Sequence, residues 1–464
     1  MPELPEVETV VRTLEHKINK RIIKNVNILY EKIVAEPDAM TFSRCLTNQR
    51  FEKFDRRGKF LIFELTDYVL VAHLRMEGKF YVYPEHTEPD KHTHIVFVLD
   101  QGELHYNDVR KFGRFYLYEK GAELKALQSL GYEPFDENLN SEYLKSYCHL
   151  KKTAIKTQLL DQSMIAGIGN IYANEICFDV KLNPEHPACY ISRRKWDEII
   201  ESTKKILNEA IAAGGTTIRS YTSSLGVTGM FQQNLHVHSR AGELCECGCE
   251  IVKCFVNGRG TYYCPNCQKE KALLVGVTGN IGSGKSTVSE LMKDMGYSVI
   301  SCDEINSQLW NQPKIVEKIG RITGKTDKKK VSEVIYRDPE IKQELENYLH
   351  AMIWERVQSF YQEHINEKAV IVEVPLLFET DWYRHFDCNI LVTCSVETAI
   401  ERLQRTRGMS EENIRLVLSN QMLDGEKRKM ADIVITNDSS LDKLSESVEK
   451  AINTIVKWST GKSE

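Results

Sequence analysis

The stretch CPNCQKEKALLVGVTGNIGSGKST, residues 264–287, places two unrelated sequence patterns side by side. It begins with a Cys-x-x-Cys pair and ends in a glycine-rich loop, with only four residues between the pair and the apolar run that leads into the loop. No linker rich in glycine, serine or proline separates the two patterns. The stretch therefore predicts a boundary at which one domain ends and another begins.

The glycine-rich loop, GNIGSGKS at residues 279–286, fits the pattern Gly-x-x-x-x-Gly-Lys-Ser/Thr in full. Glycines allow backbone N–H groups to surround phosphates, Lys285 reaches the β- and γ-phosphates, and the Ser286 hydroxyl binds Mg²⁺. The loop follows an apolar strand and precedes a helical run, as the pattern requires. We therefore predict an ATP site that contains Gly279, Asn280, Ile281, Gly282, Ser283, Gly284, Lys285, Ser286 and Thr287.

The sequence beyond residue 273 alternates between short apolar runs and long polar-apolar helical segments. The apolar runs include ALLVGVTG (272–279), AVIVEVP (369–375) and CNILVTC (388–394). Continuous apolar strands between helices are typical of a parallel sheet with crossover helices. The C-terminal part is therefore expected to be an α/β P-loop domain.

Further stretches of this part resemble dephospho-CoA kinase. They are SCDEIN (301–306), VPLLFE (374–379) and QMLDGEKRKMADIVITN (421–437). The resemblance implies transfer of the ATP γ-phosphate, with Mg²⁺, to the ribose 3′-hydroxyl of dephospho-CoA. It assigns Asp303 to orient or deprotonate that hydroxyl, and one or more of Arg402, Arg405 and Arg407 to clamp phosphates from a lid, with Arg405 counted in the ATP site.

Three features depart from the kinase pattern: the family's early Asp-x-Asp is reduced to Ser301-Cys302-Asp303, and two positions near residue 350 also differ. Ala351 stands where that family usually has a proline after histidine, and Trp354 stands where an arginine is common. These changes affect the expected binding of the acceptor and leave the ATP loop intact. A kinase of another small molecule therefore stays open as an alternative.

The sequence before residue 268 changes its periodicity three times. Residues 3–18 have helical spacing, residues 21–118 read as short antiparallel strands, and helical patterns dominate from 137 to 215. A short Cys- and Gly-rich segment follows at 233–267. We expect an N-terminal helix with an antiparallel β-sandwich, then a helical domain with a zinc hairpin.

The first residues, MPELPEVE, place a proline next to a carboxylate. Removal of Met1 exposes the secondary amine of Pro2, and an α-amino group titrates near about 8, so it is substantially neutral at cellular pH. Such an amine can attack a sugar C1′ and form an iminium, with Glu3 as acid or base. Proline also suits the first turn of any helix, so this stretch by itself leaves both interpretations open.

Six further stretches occur in an order that closely resembles formamidopyrimidine-DNA glycosylase. They are RRGKFLIFEL (56–65), HLRMEGKF (73–80), YNDVRKFGRF (106–115), TAIKTQLLDQSMIAGIGNIYANEICF (153–178), GGTTIRSY (214–221) and GRGTYYCPNCQ (258–268). The resemblance covers about residues 1–268. It implies excision of oxidised purines such as 8-oxoguanine and formamidopyrimidines from double-stranded DNA, and cleavage of the abasic strand by β- and δ-elimination.

This resemblance also assigns roles to residues. Pro2 is the nucleophile, Glu3 the general acid with Glu6 nearby, and Lys59 contacts the lesion phosphate and assists elimination. The DNA-binding residues are His73, Met76, Arg110, Phe112, Asn170 and Arg259, of which Met76, Arg110 and Phe112 fill the gap left by the extruded base. Residues 216–229 are expected to close over that base.

The cysteines of the hairpin are irregularly spaced. Cys264 and Cys267 form a regular pair, whereas the upstream segment offers three thiols, at Cys245, Cys247 and Cys249. We predict a structural Zn²⁺ held by Cys264, Cys267 and two of the upstream three, with Cys245 and Cys247 as the favoured pair. Such a metal stabilises a hairpin too small to have its own core.

The composition fits this organisation. The chain has 464 residues, 42% of them hydrophobic, and a net charge of −5, so bulk charge does not favour nucleic-acid binding and the claim depends on placed residues. The 13 cysteines, six of them clustered, and the lack of a secretion signal or long apolar run predict a cytoplasmic protein without a membrane partner.

Taken together, these patterns predict a bifunctional chain. The expected domains are a catalytic β-sandwich at 1–135, a helix–two-turn–helix DNA-binding domain at 136–232, a zinc finger at 233–268 and a P-loop kinase at 273–464. Two alternatives stay open for the first half. One is an endonuclease VIII-like enzyme that acts on oxidised pyrimidines, although Leu4 favours the purine branch, and the other is a non-catalytic module that binds damaged DNA.

Overall fold

The computed structural model describes residues 2–216 and 230–460, which form two compact units. The N-terminal unit comprises Met1–Ile191 with Lys195–Lys269, and the C-terminal unit comprises Glu270–Glu464 with Ser192–Arg194. The division after Lys269 falls inside the stretch that joins the cysteine pair to the glycine-rich loop. Of the segment expected to cover an extruded base, only Thr216 belongs to the described residues.

The N-terminal unit begins with a helix and a run of strands. Its helices are α1 (Leu4–Ile18), α2 (Ala39–Leu46), α3 (Ser141–Cys148), α4 (Ile155–Leu159), α5 (Asn170–Asp179) and α6 (Arg193–Ala212). Its strands are β1 (Ile23–Ile28), β2 (Val34–Glu36), β3 (Phe51–Arg57), β4 (Phe60–Leu65), β5 (Tyr68–His73), β6 (Lys79–Tyr83), β7 (Thr93–Leu99), β8 (Glu103–Asn107), β9 (Arg114–Glu119), β10 (Val252–Val256) and β11 (Arg259–Tyr263).

Strands β1 to β9 form a sandwich of two sheets. One sheet has the order β1-β7-β8-β6 and the other β2-β9-β5-β4-β3. Their inner faces supply one apolar core, in which Phe97 and Phe115 pack at a ring distance of 6.4 Å. Helix α1 adds Val7, Val10 and Leu14 to the same core, which fixes the start of the chain against the sandwich.

The helical part of the N-terminal unit has a separate core. Helices α3 to α6 bury residues such as Trp196 and Tyr172, and Leu4 from the start of α1 joins them. Strands β10 and β11 form a two-stranded hairpin that packs on α5 through a small cluster around Phe178 and Ile251. The start of α1 therefore lies where the sandwich core and the helical core meet.

The C-terminal unit is an α/β fold around one sheet. Its strands are β12 (Leu273–Thr278), β13 (Ser298–Ser301), β14 (Ala369–Glu373), β15 (Cys388–Thr393) and β16 (Ile433–Thr436). Its helices are α7 (Lys285–Asp294), α8 (Cys302–Leu309), α9 (Pro313–Thr323), α10 (Lys328–Arg337), α11 (Pro339–Glu363), α12 (Val396–Arg407), α13 (Glu411–Ser419), α14 (Asp424–Met430) and α15 (Leu441–Thr460).

All neighbouring strands of this sheet are parallel, in the order β13-β14-β12-β15-β16. Both faces are covered: Leu274 of β12 packs into one apolar cluster and its neighbour Val275 into another. Burial on both faces explains why these strands read as continuous apolar runs. The carboxyl end of β12 leads directly into the glycine-rich loop, which is the expected position for a nucleotide site.

Two of the departures from the kinase pattern lie in helix α11. Ala351 is in the interior of this 25-residue helix, where a proline would remove a hydrogen bond and kink the backbone. Trp354 is half-buried and its ring packs at 5.6 Å from Trp382 and 4.8 Å from His385. Alanine therefore allows α11 to continue, and Trp354 has a packing role.

Across residues 2–216 and 230–460, no helix combines the length and apolar character that a bilayer crossing requires.

Candidate active sites

Glu3 lies at the point where the two cores of the N-terminal unit meet. It directly precedes α1, and its Oε1 accepts a hydrogen bond of 2.9 Å from the backbone N–H of Ile171, in the first turn of α5. A Cβ at Gly169 would lie 2.2 Å from Glu3 Cδ. Only glycine at this position allows the carboxyl group to approach the start of the helix so closely.

Burial controls the protonation of Glu3. The loss of solvent raises its pKa from 4.5 to about 7, against the opposing charge of Lys59 and the hydrogen bond from Ile171. A carboxyl group with this pKa is present in both forms at neutral pH. Glu3 can therefore donate a proton in one step of a reaction and accept one in another.

Glu6, one turn further along α1, is an acceptor for its surroundings. Its Oε2 accepts from the backbone N–H of Glu3 at 2.8 Å. Its Oε1 accepts from the Tyr172 hydroxyl at 2.8 Å and from the backbone and hydroxyl of Thr216 at 2.8 and 2.9 Å. These donors fix Glu6 in place, and Glu6 in turn fixes the backbone that follows Pro2. Pro2 itself is buried.

Lys59 is the buried cation of this site. It comes from the turn between β3 and β4, and its Nζ donates to the carbonyl of Ile168 at 2.8 Å. Burial lowers its pKa from 10.5 to about 8, while the nearby carboxylates of Glu3 and Glu6 oppose this change. Lys59 is consequently mostly charged at pH 7 and close enough to Glu3 for each to influence the other's ionisation.

Two further predicted residues, His73 and Arg259, lie near Lys59. Burial, followed by the charges of Arg75 and Lys59, lowers the pKa of His73 to about 3, so its ring is neutral. The backbone N–H of Arg75 donates to His73 Nδ1 at 2.9 Å, so the remaining proton is on Nε2, which is free to donate to an anion. Arg259 lies near enough for its charge to depress the pKa of Lys59.

Asn170 and Lys156 hold the tip of the hairpin that carries Arg259. Asn170 Nδ2 donates to the carbonyl of Gly260 at 3.0 Å, and the fully buried Lys156 donates to the same carbonyl at 2.8 Å. Lys156 also donates to the Thr261 hydroxyl at 2.7 Å. Asn170 Oδ1 is buried without a hydrogen-bond partner. Lys156 is not among the predicted site residues, because nothing in its local sequence pattern distinguishes it from a surface lysine.

Arg110 and Phe112 stand together on an exposed loop between β8 and β9. The guanidinium of Arg110 lies 4.7 Å from the centre of the Phe112 ring. The buried carboxylate of Asp108 accepts from the backbone N–H groups of Arg110 at 3.0 Å and Phe112 at 2.9 Å. The loop is therefore ordered while its two large side chains face solvent. Met76 is half-buried in the turn between β5 and β6.

The hairpin brings four of the predicted thiols together. The sulfur atoms of Cys245, Cys247, Cys264 and Cys267 all lie within 4.8 Å of one another. Cys247 Sγ is 3.5 Å from Cys264 Sγ, and Cys245 Sγ is 3.8 Å from Cys267 Sγ. Four thiolates at such spacing suit tetrahedral coordination of a soft divalent metal. Cys249 lies outside this group.

The glycine-rich loop of the C-terminal unit packs closely against neighbouring segments. It forms a concave surface at the start of α7, which we call the cradle. Gly284, at φ +89°, adopts a left-handed conformation that favours glycine, and a Cβ there would lie 2.2 Å from Asn437 Nδ2. A Cβ at Gly279 would lie 2.3 Å from the carbonyl of Val392. Lys285 follows directly as the first residue of α7, so the cradle opens at a helix N-terminus, which favours anions.

A cavity of about 390 Å³ adjoins the loop. It is lined by loop residues, by α12 and by the segment after β16, including Lys285, Ser286, Thr287, Arg402, Arg405, Arg407, Asn437 and Ser439. Arg402 Nη2 donates to Asn437 Oδ1 at 3.2 Å, while Arg402 Nη1 is buried without a hydrogen-bond partner. Such an unsatisfied donor beside a phosphate cradle fits the binding of an anionic nucleotide.

One carboxylate contacts the loop from β14, and a second follows β13, the strand that pairs with β14. Ser286 Oγ donates to Glu373 Oε1 at 2.8 Å, and Glu373 is buried at the carboxyl end of β14. Asp303 is exposed in the first turn of α8. Burial and then the charges of Asp303 and Glu373 raise the pKa of Cys302 to about 12, so both carboxylates lie near that thiol. Glu373 is not among the predicted site residues, because it lies 87 residues from Ser286 in the sequence.

These features define two classes of protein in one chain. The N-terminal unit combines a β-sandwich, a helical domain and a cysteine hairpin around an N-terminal carboxylate site, which is the architecture of a helix–two-turn–helix DNA glycosylase. The C-terminal unit is a P-loop kinase fold with a parallel sheet.

Comparison with known proteins identifies the family of each part. Three family models match: the formamidopyrimidine-DNA glycosylase N-terminal domain at residues 1–115, the formamidopyrimidine-DNA glycosylase H2TH domain at 130–222, and dephospho-CoA kinase at 273–443. The formamidopyrimidine-DNA glycosylase of Shouchella clausii is 48% identical over 273 residues, which is 58% of this chain and 99% of the relative. The chain belongs to the formamidopyrimidine-DNA glycosylase family and carries a C-terminal dephospho-CoA kinase domain.

Solved structures agree with this assignment. A complex of a Lactococcus lactis Fpg mutant with Fapy-dG containing DNA is 37% identical, with a TM-score of 0.56, and covers 58% of this chain and 100% of that one. A complex of Lactococcus lactis Fpg with abasic-site DNA has a TM-score of 0.55 at 37% identity and the same two coverages. A further sequence relative, the formamidopyrimidine-DNA glycosylase of Exiguobacterium sp., is 47% identical over 274 residues. These residues are 58% of this chain and 100% of the relative.

Proposed function

We propose that the chain is a bifunctional enzyme. Its N-terminal unit excises oxidised purines from double-stranded DNA and cleaves the resulting abasic site, and its C-terminal unit phosphorylates dephospho-CoA with ATP. The observation that carries the first activity is the buried Glu3 carboxyl group, with a pKa of about 7, between Pro2 and the charged Lys59. We place both activities in the cytoplasm, where DNA, ATP and reduced thiols occur together.

In the proposed glycosylase reaction, the lone pair of the Pro2 amine forms a bond to C1′ of the damaged nucleotide. The electrons of the glycosidic bond leave with the base, which is protonated as it departs. Glu3 in its acid form donates that proton. The sugar ring then opens as the C1′–O4′ bond breaks, and the proton lost from the Pro2 nitrogen ends on O4′, which leaves an iminium between Pro2 and C1′. Removal of the C2′ proton then expels the 3′-phosphate, and a second elimination expels the 5′-phosphate.

The DNA-binding residues are proposed to hold a kinked duplex. The donors available to phosphates around the lesion are the ammonium group of Lys59, the neutral ring N–H of His73 and the guanidinium group of Arg259. Arg110 and Phe112 project together from their loop, which suits insertion into the space left by the extruded nucleotide. Met76 would enter the same space.

We propose that the four-thiol group binds structural Zn²⁺, which supplies cross-linking of the hairpin and no chemistry. Replacing Cys245 with serine is then expected to release the metal and weaken binding to abasic-site DNA about tenfold, because Arg259 is no longer held against phosphate. Metal content and fluorescence anisotropy measure the two effects. Cys249→Ser is the matched control, since its sulfur lies outside the group. Metal loss in the control alone would instead identify Cys249 as a ligand.

In the proposed kinase reaction, residues 279–287 and Arg405 bind ATP. Lys285 neutralises charge on the transferring phosphoryl group, and Asp303 orients the 3′-hydroxyl or accepts its proton. Ser286 Oγ and Glu373, joined by a hydrogen bond of 2.8 Å, would hold Mg²⁺, which neutralises charge on the phosphates. The observation that supports this assignment is the open cradle at the start of α7 beside the free donor of Arg402.

The glycosylase proposal is tested by trapping. We expect the purified chain, incubated with an 8-oxoguanine duplex and sodium borohydride, to form a covalent protein–DNA complex, because hydride reduces the iminium to a stable amine. Pro2→Gly should lose the complex or greatly weaken it, since the proposed nucleophile changes. Tight lesion binding without any adduct would contradict the enzyme and favour a damage-binding module. An adduct only on oxidised-pyrimidine DNA would contradict the substrate class.

A further inference from the structure

Lys427 is a fully buried lysine in helix α14, outside the predicted ATP site. Its Nζ donates to Asn280 Oδ1, in the P-loop, at 2.7 Å. Its other partner is Glu379, whose Oε1 lies 2.6 Å from the same nitrogen. The three side chains come from segments far apart in sequence: the P-loop, the segment after β14 and α14.

The same part of the chain holds the P-loop at two further points. Asn280 Nδ2 donates to Asp424 Oδ1 at 2.8 Å, and the backbone N–H of Ile281 donates to Gln421 Oε1 at 3.0 Å. Residues 421–427 therefore engage both ends of the Asn280 amide and the peptide that follows it. These contacts fix the two residues that come directly after Gly279.

The chemistry of the contacts determines which way the amide of Asn280 faces. A lysine ammonium can only donate hydrogen bonds, and an ionised aspartate can only accept them. Between Lys427 and Asp424, the amide has one satisfactory orientation, with its oxygen toward lysine and its nitrogen toward aspartate. A neutral or accepting side chain at position 427 would remove this selection and leave the amide oxygen buried without a donor.

Glu379 explains how an ammonium group can be completely buried here. A buried charge is strongly unfavourable unless an opposite charge lies next to it, and Glu379 supplies one. Glu379 also ends the segment 374–379, which begins one residue after Glu373, the proposed Mg²⁺ ligand. Lys427 thus connects two segments on the phosphate side of the sheet.

We propose that Lys427 is a positioning residue for ATP binding, which acts through Asn280 to hold the P-loop in its phosphate-binding conformation. This inference rests on the proposed kinase function. It is distinct from a general contribution of Lys427 to folding, because it requires ATP affinity to depend on the Lys427–Asn280 contact. Asp303, the residue proposed to orient the acceptor, is not among the side chains that Lys427 and Asn280 contact, so the KM for dephospho-CoA should not follow that contact.

The test compares full-length Lys427→Met and Asn280→Ala with the unmodified chain. Each variant is expected to raise the KM for ATP about tenfold, the effect of losing one hydrogen bond from a charged group. The KM for dephospho-CoA should change less than about twofold, within the range of measurement. Because both changes remove the same contact, the double variant should be no worse than either single one. Lys429→Met, at an exposed position of the same helix, is the matched control and should behave like the unmodified chain.

Folding is controlled separately. Lys427→Met leaves Glu379 as an isolated buried charge, so this variant is compared with the double change Lys427→Met with Glu379→Gln, and thermal unfolding is measured for both. The double change should recover the unfolding temperature and keep the raised KM for ATP. A lowered unfolding temperature with an unchanged KM for ATP would overturn the proposal and leave Lys427 a purely structural role.

The experiment also separates this inference from the kinase assignment. If the unmodified chain does not phosphorylate dephospho-CoA, the assigned reaction fails. Calorimetric titration of the same variants with MgATP then still measures nucleotide affinity. Equal affinities of the unmodified chain and Lys427→Met would overturn the positioning role, and weaker binding by both Lys427→Met and Asn280→Ala would support it.

Discussion

Replacing Glu3 with glutamine is expected to lower the rate of 8-oxoguanine excision by about a hundredfold to ten-thousandfold, the usual contribution of a general acid. Glutamine has the same shape and can still accept the hydrogen bond from Ile171, but it has no proton to donate to the departing base. Cleavage of a pre-formed abasic site should change little, because the base has already left and the sugar aldehyde is open. Excision and abasic cleavage are measured on matched duplexes.

The pH dependence should separate the two reactions in the same way. Excision requires the acid form of Glu3, which is lost as the pH rises above about 7. It also requires the neutral amine of Pro2, which accumulates as the pH rises toward about 8. Excision by the unmodified chain should therefore give a bell-shaped profile with its maximum between these values, whereas abasic cleavage should lack the decline that Glu3 imposes.

Glu15→Gln is a suitable control, since Glu15 is exposed on the same helix and far from α5 in sequence. It should retain both activities. An equal loss of excision and abasic cleavage in Glu3→Gln would contradict a proton-donating role. That result would indicate instead that Glu3 mainly fixes the first turn of α5.

Replacing Lys285 with alanine is expected to lower the kcat for phosphorylation of dephospho-CoA by about a hundredfold to a thousandfold. The ammonium group neutralises charge on the transferring phosphoryl group, and no other lysine of the P-loop is available to replace it. Coupled measurement of ADP formation gives kcat and the two KM values.

The glycosylase activity of the same Lys285→Ala preparation serves as an internal control for correct folding of the chain. It should stay unchanged, because the P-loop consists of residues of the C-terminal unit. Kinase activity within about tenfold of the unmodified chain would contradict the assigned role, since even one lost transition-state contact exceeds that effect.

The parts of the sites that occur as continuous stretches were predictable from sequence. Residues 279–287 carry the backbone N–H groups and the lysine that are proposed to bind phosphate, and a strand and a helix on either side are sufficient to place them. The pair Cys264 and Cys267 was predictable for the same reason, because two cysteines this close in sequence within one hairpin also lie close together in space. The alternating and helical patterns likewise predicted the sandwich, the helical domain and the parallel sheet, because burial on one or two faces leaves a direct periodicity in the sequence.

Contacts between distant parts of the chain were not predictable. Glu3 accepts a hydrogen bond from Ile171, which is 168 residues away in the sequence, and Lys427 donates one to Asn280, which is 147 residues away. Whether a lysine or glutamate is buried depends on which segments the fold brings together, and no local pattern records this. The shifted pKa of Glu3 has the same origin, since its cause is desolvation by the helical core.

The carbonyl of Gly260 accepts hydrogen bonds from both Asn170 and Lys156, and these hydrogen bonds affect how the N-terminal unit unfolds. Lys156 is fully buried, and its acceptors at Gly260 and Thr261 belong to the hairpin, whereas its backbone belongs to α4. Release of the hairpin would leave an ammonium group in an apolar core without acceptors. The cysteine hairpin and the helical core should therefore melt in a single cooperative transition, and a chelator that removes the proposed zinc would lower the stability of helices that contain none of its thiols.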